Sequence, residues 1–165
     1  MPIAVYAGSF DPVTRGHEDL IWRSLTFVDK LIVAVTINSA KQPLFSIAER
    51  SQMIRDSIGN EPRIEVREFD GLLVDFARDV GATLSIRGLR AVADFEYEYQ
   101  MALMNRHLNA ELETVFMVPS IDRTYVSSSI VREVAKFGGN TSGLVHPVVD
   151  AALRARFGTT GRAPA

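Results

Sequence analysis

Cysteine is absent from the 165 residues. No disulfide, thiolate metal site or cysteine nucleophile is open to this chain, and the composition suits a reducing compartment. An excess of one charge is absent too. The 18 Lys and Arg residues face 20 Asp and Glu, a net charge of −2. Nucleic-acid and membrane-surface binders carry a clear basic excess. Neither class of partner is therefore expected, and any anion site must be built from a few local groups. Long apolar runs are also missing. The opening stretch from Met1 to Tyr6 has no basic flank and is too short for a signal segment or a membrane span. The expectation is a cytoplasmic, soluble protein. What is present is ordinary globular material, 47% hydrophobic and 23% charged, enough for one domain with its own core. No repeat, linker or low-complexity stretch divides it. One domain is expected over 1–157, followed by a small, polar, flexible tail over 158–165.

Short β-rich runs alternate with helical patterns along the chain. Ile3 to Tyr6 reads as a first strand, stopped by the turn-rich Ala7 to Pro12. Leu31 to Ile37 is apolar on both faces, as a central parallel strand should be. Further strands are predicted at Ile64 to Glu68, Thr83 to Ile86 and Val115 to Val118. Helices are predicted at His17 to Phe27, from Ser46 to near Gly59, and at Leu72 to Val80, Asp94 to Leu108, Ser127 to Phe137 and Pro147 to Phe157. Ser46 and Glu49 form a capping box at the second helix. This alternation predicts a single Rossmann-like, doubly wound α/β domain with a five-stranded parallel sheet flanked by helices. Ligands bind such sheets at the carboxyl ends of the strands, and the unusual residues fall just after strands one, two, four and five.

Gly8 to His17 follows the first strand and enters a helix. Gly8 and Gly16 allow close approach to a ligand, and a helix N-terminus suits phosphate. A plain βα turn is the other reading of the two glycines. The stretch lacks the lysine of a P-loop and the spacing of the dinucleotide fingerprint. Arg87-Gly88-Leu89-Arg90 follows the fourth strand. Its guanidinium forks suit phosphate oxygens, with Asp94, Glu96 and Glu98 as candidate ion partners. Ser127-Ser128-Ser129 opens a helix after the fifth strand. Capping explains any one of these serines; three hydroxyls beside free N–H groups also make a phosphate cradle. Lys41 lies in the loop after the second strand, where a lone lysine is normally solvated surface. His107 and His146 read as structural.

Thr14-Arg15-Gly16-His17 resembles the T/H-x-G-H signature of the nucleotidylyltransferase superfamily. Val126 to Arg132 resembles its second signature, I-S-S-S/T-x-x-K/R, with Val126 for isoleucine and Arg132 in the basic position. The run from Arg87 to Glu98 is similar to the R-G-L-R-x-x-x-D-F-E-Y-E block of the bacterial phosphopantetheine adenylyltransferases. The match covers almost the whole chain. It implies transfer of AMP from ATP to 4′-phosphopantetheine, giving dephospho-coenzyme A and pyrophosphate in coenzyme A biosynthesis.

The resemblance also implies roles. His17 stabilises the transition state at the α-phosphate, with Lys41 and Arg90 assisting. Ser9, Lys41, Leu73, Arg87 and Asn105 meet phosphopantetheine. Ser9, Phe10, His17, Gly88, Leu89, Arg90, Glu98, Arg123, Thr124, Tyr125, Val126, Ser127, Ser128 and Ser129 hold ATP. Mg²⁺ arrives with ATP, without a dedicated protein metal site. A homohexamer and feedback inhibition by coenzyme A are implied as well. Rival readings are a sister enzyme (a nicotinamide-mononucleotide adenylyltransferase or a glycerol-phosphate cytidylyltransferase), a non-catalytic nucleotide sensor on the same fold, and, least in keeping with the charge, a nucleic-acid binder.

Overall fold

The computed structural model describes residues 2–37 and 42–158. Five strands, β1 (Ile3–Gly8), β2 (Lys30–Thr36), β3 (Ile64–Phe69), β4 (Leu84–Gly88) and β5 (Glu113–Met117), alternate with helices. These are α1 (Arg15–Ser24), α2 (Ile47–Ile58), α3 (Leu73–Asp79), α4 (Val92–Leu108), α5 (Ser128–Lys136) and α6 (Pro147–Phe157). The strands form one sheet in the order β3-β2-β1-β4-β5, and every pairing is parallel.

The two-residue period of a strand sorts its side chains between two cores. Ala4, Tyr6, Leu31, Val33, Val35 and Ile86 face one side, where Leu20 and Ile21 of α1, Ile54 of α2, Val131 of α5 and Val149 of α6 meet them. Val5, Ala7, Ile32 and Ala34 face the other, against Val74 and Ala77 of α3. Residues 31 to 35 are at most 1% exposed, which is why that stretch of β2 is apolar on both faces and its polar residues, Lys30 and Thr36, stand at the strand's two ends.

β1 and β4 each run two residues beyond their predicted ends. Ala7 and Gly8 still pair with Ala34 and Val35, and Arg87 and Gly88 with Phe116 and Met117. The ligand-type motifs thus begin inside the sheet and not after it. The chain moves outward from β1 through β2 to β3, then crosses to β4 on the other side of β1. The switch point, and the crevice it opens, lies between the carboxyl ends of β1 and β4. The capping box at α2 is present: Ser46 N–H donates to Glu49 Oε2 at 2.8 Å and Glu49 N–H to Ser46 Oγ at 3.2 Å.

Candidate active site

α1 starts with a second capping box, of unusual composition. Thr14 is the N-cap, and its Oγ1 accepts from the His17 N–H at 3.4 Å. The Thr14 N–H donates to His17 Nδ1 at 3.0 Å, so an imidazole stands where Glu or Gln usually does. A ring nitrogen that accepts carries no proton, so the neutral ring holds its proton on Nε2. Burial, then the charges of Arg90 and Arg87, push the His17 pKa down to about 4. The T-x-G-H spacing therefore yields a neutral imidazole locked in one tautomer. Phe10 packs its ring edge-on against His17 at 4.9 Å and Tyr6 at 5.3 Å. Its backbone sits at φ 47°, a region costly for an aromatic residue and held here by burial of the ring.

The β4 exit supplies the cations. Arg87 donates through Nε and Nη2 to both oxygens of Glu98, at 2.8 and 2.7 Å, while Nη1 donates to the Ala7 carbonyl at 2.8 Å. Arg90 pairs with Asp94 at 3.3 Å. Two of the three predicted acidic partners are thus engaged, and Glu96 is exposed.

The α5 N-terminus closes the far side. Ser127 caps the helix, accepting from the Ile130 N–H at 3.2 Å, so the capping reading holds for this serine. Ser128 Oγ donates to the Pro12 carbonyl at 2.8 Å. Arg132 donates to the Asp11 carbonyl at 2.5 Å and to Ser129 Oγ at 3.3 Å. Both acceptors are uncharged, so the positive charge of Arg132 stays available to the site. The 123–126 loop packs on α1 at Gly16, where a Cβ would lie 3.6 Å from the Arg123 and Val126 carbonyls, an ordinary contact that does not itself demand glycine.

Two cavities result, of about 350 and 390 Å³, within the range of small-ligand sites. The first gathers Ser9, Phe10, His17, Arg87, Gly88, Arg90, Glu98, Arg123, Val126 and Ser127 to Ser129. The second holds Leu73 and Asn105, with Phe69, Leu72, Tyr97 and Met101 beside them. Ala7, Gly8, Arg87 and Glu98 line both, so the two cavities meet at the switch point. Leu89, Thr124 and Tyr125 fall in neither lining; Thr124 Oγ1 donates to the Ser120 carbonyl, and Tyr125 is exposed. Lys41 lies outside the described residues.

Sequence reading missed Tyr6, Pro119 and Thr36 as lining residues. Nothing in their types signals a site; only the strand order brings them there. His146 is the N-cap of α6, its ring accepting from the Val148 N–H.

Residues 5–134 match the family model described as cytidylyltransferase-like. A phosphopantetheine adenylyltransferase of Geotalea daltonii is 54% identical over 157 residues, covering 95% of this chain and 98% of its own. One from Heliobacterium modesticaldum is 50% identical over 99% of both chains. A crystal structure of a bifunctional NMN adenylyltransferase/ADP-ribose pyrophosphatase from Francisella tularensis superposes with a TM-score of 0.71 at 16% identity, over 97% of this chain and 51% of that one, a likeness of fold. At half identity over the full length, with the motif residues gathered at one switch point, the chain belongs to the phosphopantetheine adenylyltransferase family, a branch of the cytidylyltransferase-like proteins.

Proposed function

We propose that this protein transfers AMP from ATP to 4′-phosphopantetheine, releasing pyrophosphate and forming dephospho-coenzyme A. The observation that carries the reading is the junction of two unlike cavities at Arg87 and Glu98, one rich in phosphate-type donors and one whose walls beyond the junction are mainly apolar, with Thr36, Asn105 and Thr114 among them. ATP takes the first and the pantetheine arm the second, with both reacting phosphates at the shared edge.

The nucleophile is a phosphate monoester with a second pKa of about 6, largely ionised at neutral pH. It needs no base. The barrier lies in bringing two anions together and in charge that grows on the α-phosphate, so positioning and fixed donors dominate. His17 donates from Nε2 to an α-phosphate oxygen, a role that suits a neutral ring of fixed tautomer. Arg90, the α5 N–H groups, Ser128, Ser129 and Arg132 attract the β- and γ-phosphates as pyrophosphate departs. Arg87, with Ser9 and Lys41, receives the acceptor phosphate, and Leu73 and Asn105 meet the arm. Glu98 orients the Arg87 fork and faces the nucleoside. Mg²⁺ entering with ATP would neutralise phosphate charge; Asp94 and Glu98, the carboxylates that line the first cavity, each accept from an arginine.

Assembly and control belong to the same proposal. α4 exposes Phe95 and Tyr99, stacked at 5.6 Å, with Leu103 and Met104 beyond. An apolar strip of this kind suits burial between subunits, in keeping with a homohexamer. Coenzyme A combines a pantetheine arm with an adenine nucleotide and would compete for both cavities. Among the described residues no helix is long and apolar enough to cross a membrane; the proposed substrates, ATP and phosphopantetheine, support a cytoplasmic location.

The test is pyrophosphate release from ATP and Mg²⁺ with a panel of acceptors. Turnover with phosphopantetheine, and none with nicotinamide mononucleotide or glycerol phosphate, is expected. Turnover only on another acceptor contradicts the reading, and ATP binding without turnover on any acceptor makes the chain a sensor.

A further inference from the structure

Arg50 of α2 is 1% exposed, the bulkiest of the fully buried side chains among the described residues. Its hydrogen bonds run to three main-chain carbonyls: Nε to Phe45 at 3.1 Å, and Nη1 to Ser9 at 2.8 Å and Thr36 at 3.1 Å. Burying a charge against neutral acceptors is a poor route to stability, since desolvation costs several kcal/mol and an apolar side chain of similar volume often serves as well. The contacts point to another purpose.

The β1–β2 ladder ends at the pair Gly8 and Val35. Ser9 and Thr36 come next on each strand, past the last rung. There a single Arg50 nitrogen bridges their two carbonyls, in effect adding one more rung. Ser9 lines the first cavity and Thr36 the second. The third bond is itself braced: the Leu44 and Phe45 N–H groups donate to the two carboxylate oxygens of Asp11, at 2.8 and 2.9 Å. The β1 loop and α2 thus grip one segment from both sides, and the guanidinium cannot swing without breaking that grip.

We propose that Arg50 is a positioning residue for the transfer step: it sets the separation of the β1 and β2 exits, and with it the alignment of the two reacting phosphates, while touching neither substrate. The proposal rests on the adenylyl-transfer reading above. A displacement of about 1 Å between reactants costs on the order of 100-fold in rate. Affinity for each substrate alone has no such sensitivity.

The experiment compares wild type with Arg50→Met and Arg50→Lys. ATP-binding sites are counted by titration calorimetry, kcat is expressed per site, and Kd is measured for ATP and for phosphopantetheine separately. Counting sites removes any loss of folded protein, which a merely structural role would produce. Arg50→Met is expected to lower kcat per site about 100-fold with each Kd within about threefold. Arg50→Lys, which keeps the charge and loses the planar fork, is expected to recover part of the rate. If Arg50→Met does not fold, Arg50→Lys decides alone, with a kcat per site about tenfold below wild type. A folded variant with unchanged kcat per site, or with both Kd values raised in step with the rate loss, overturns the proposal. A wild-type chain that makes no pyrophosphate from phosphopantetheine removes the underlying reading instead.

Discussion

The Thr14 N–H donates to His17 Nδ1 at 3.0 Å, and under the adenylyl-transfer proposal this bond joins helix capping to catalysis. It satisfies a free helix donor and leaves Nε2 as the ring's proton-bearing atom. His17→Asn separates the two jobs, because Oδ1 can replace Nδ1 as the cap while the Nε2 donor is lost. The expected result is a fall in kcat of about 10²–10³-fold, with the KM for ATP within a few-fold. His17→Ala loses the cap as well and should be less stable than the asparagine variant by about 1 kcal/mol. Steady-state kinetics and urea unfolding of both variants check this.

A His17 pKa near 4 fixes the sign of a pH effect. The unfolded ring titrates near 6.5, so between pH 6.5 and 4 the unfolded chain binds a proton that the native chain refuses. Stability falls as pH drops through that window, by on the order of 3 kcal/mol in all from this group. Unfolding free energies of wild type and His17→Asn from pH 7 to 4 isolate the effect, since the difference cancels the other titrating groups. The gap should narrow on acidification as wild type loses its advantage. A gap independent of pH means that the native ring protonates normally.

Glu98→Gln tests the shared wall. The Arg87 fork loses its charged partner, which should cost about 1–3 kcal/mol of stability. Because Glu98 lines both cavities, KM should rise for ATP and for phosphopantetheine together. A rise for one substrate alone would assign the residue to a single subsite.

Lys41→Ala should raise the KM for phosphopantetheine about tenfold, the order of one lost charge-assisted bond, with the KM for ATP within about twofold. Initial rates with each substrate varied in turn check this. An unchanged acceptor KM removes Lys41 from the acceptor phosphate.

Much of this was legible in the residues. Strong two-sided hydrophobicity marks β2, and the glycine and arginine clusters mark the exits of β1 and β4. Glu98, Met101 and Asn105 share a face of α4 by helical spacing, and all three line the second cavity. Other features were not legible, for physical reasons. The order β3-β2-β1-β4-β5 is a matter of which edges meet, and strand composition does not encode it. Arg50 shares the apolar stripe of α2 with Ile54 and Ile58 by helical spacing, yet a charge there normally reaches solvent at the stripe's edge; only the packed structure shows it enclosed. Asp11 reads as a turn residue, yet its carboxylate holds a segment more than thirty residues away. The Thr14–His17 box went unread because histidine is not a usual partner in that motif.

The central claim is that two phosphates meet where the cavities join. A crystal structure with a non-hydrolysable ATP analogue and 4′-phosphopantetheine tests it most directly. The account predicts the α-phosphate at His17 Nε2, the acceptor phosphate beside Arg87 in line with the departing pyrophosphate, and the arm against Leu73 and Asn105. Two phosphates bound apart, or an arm lying outside the second cavity, would contradict it.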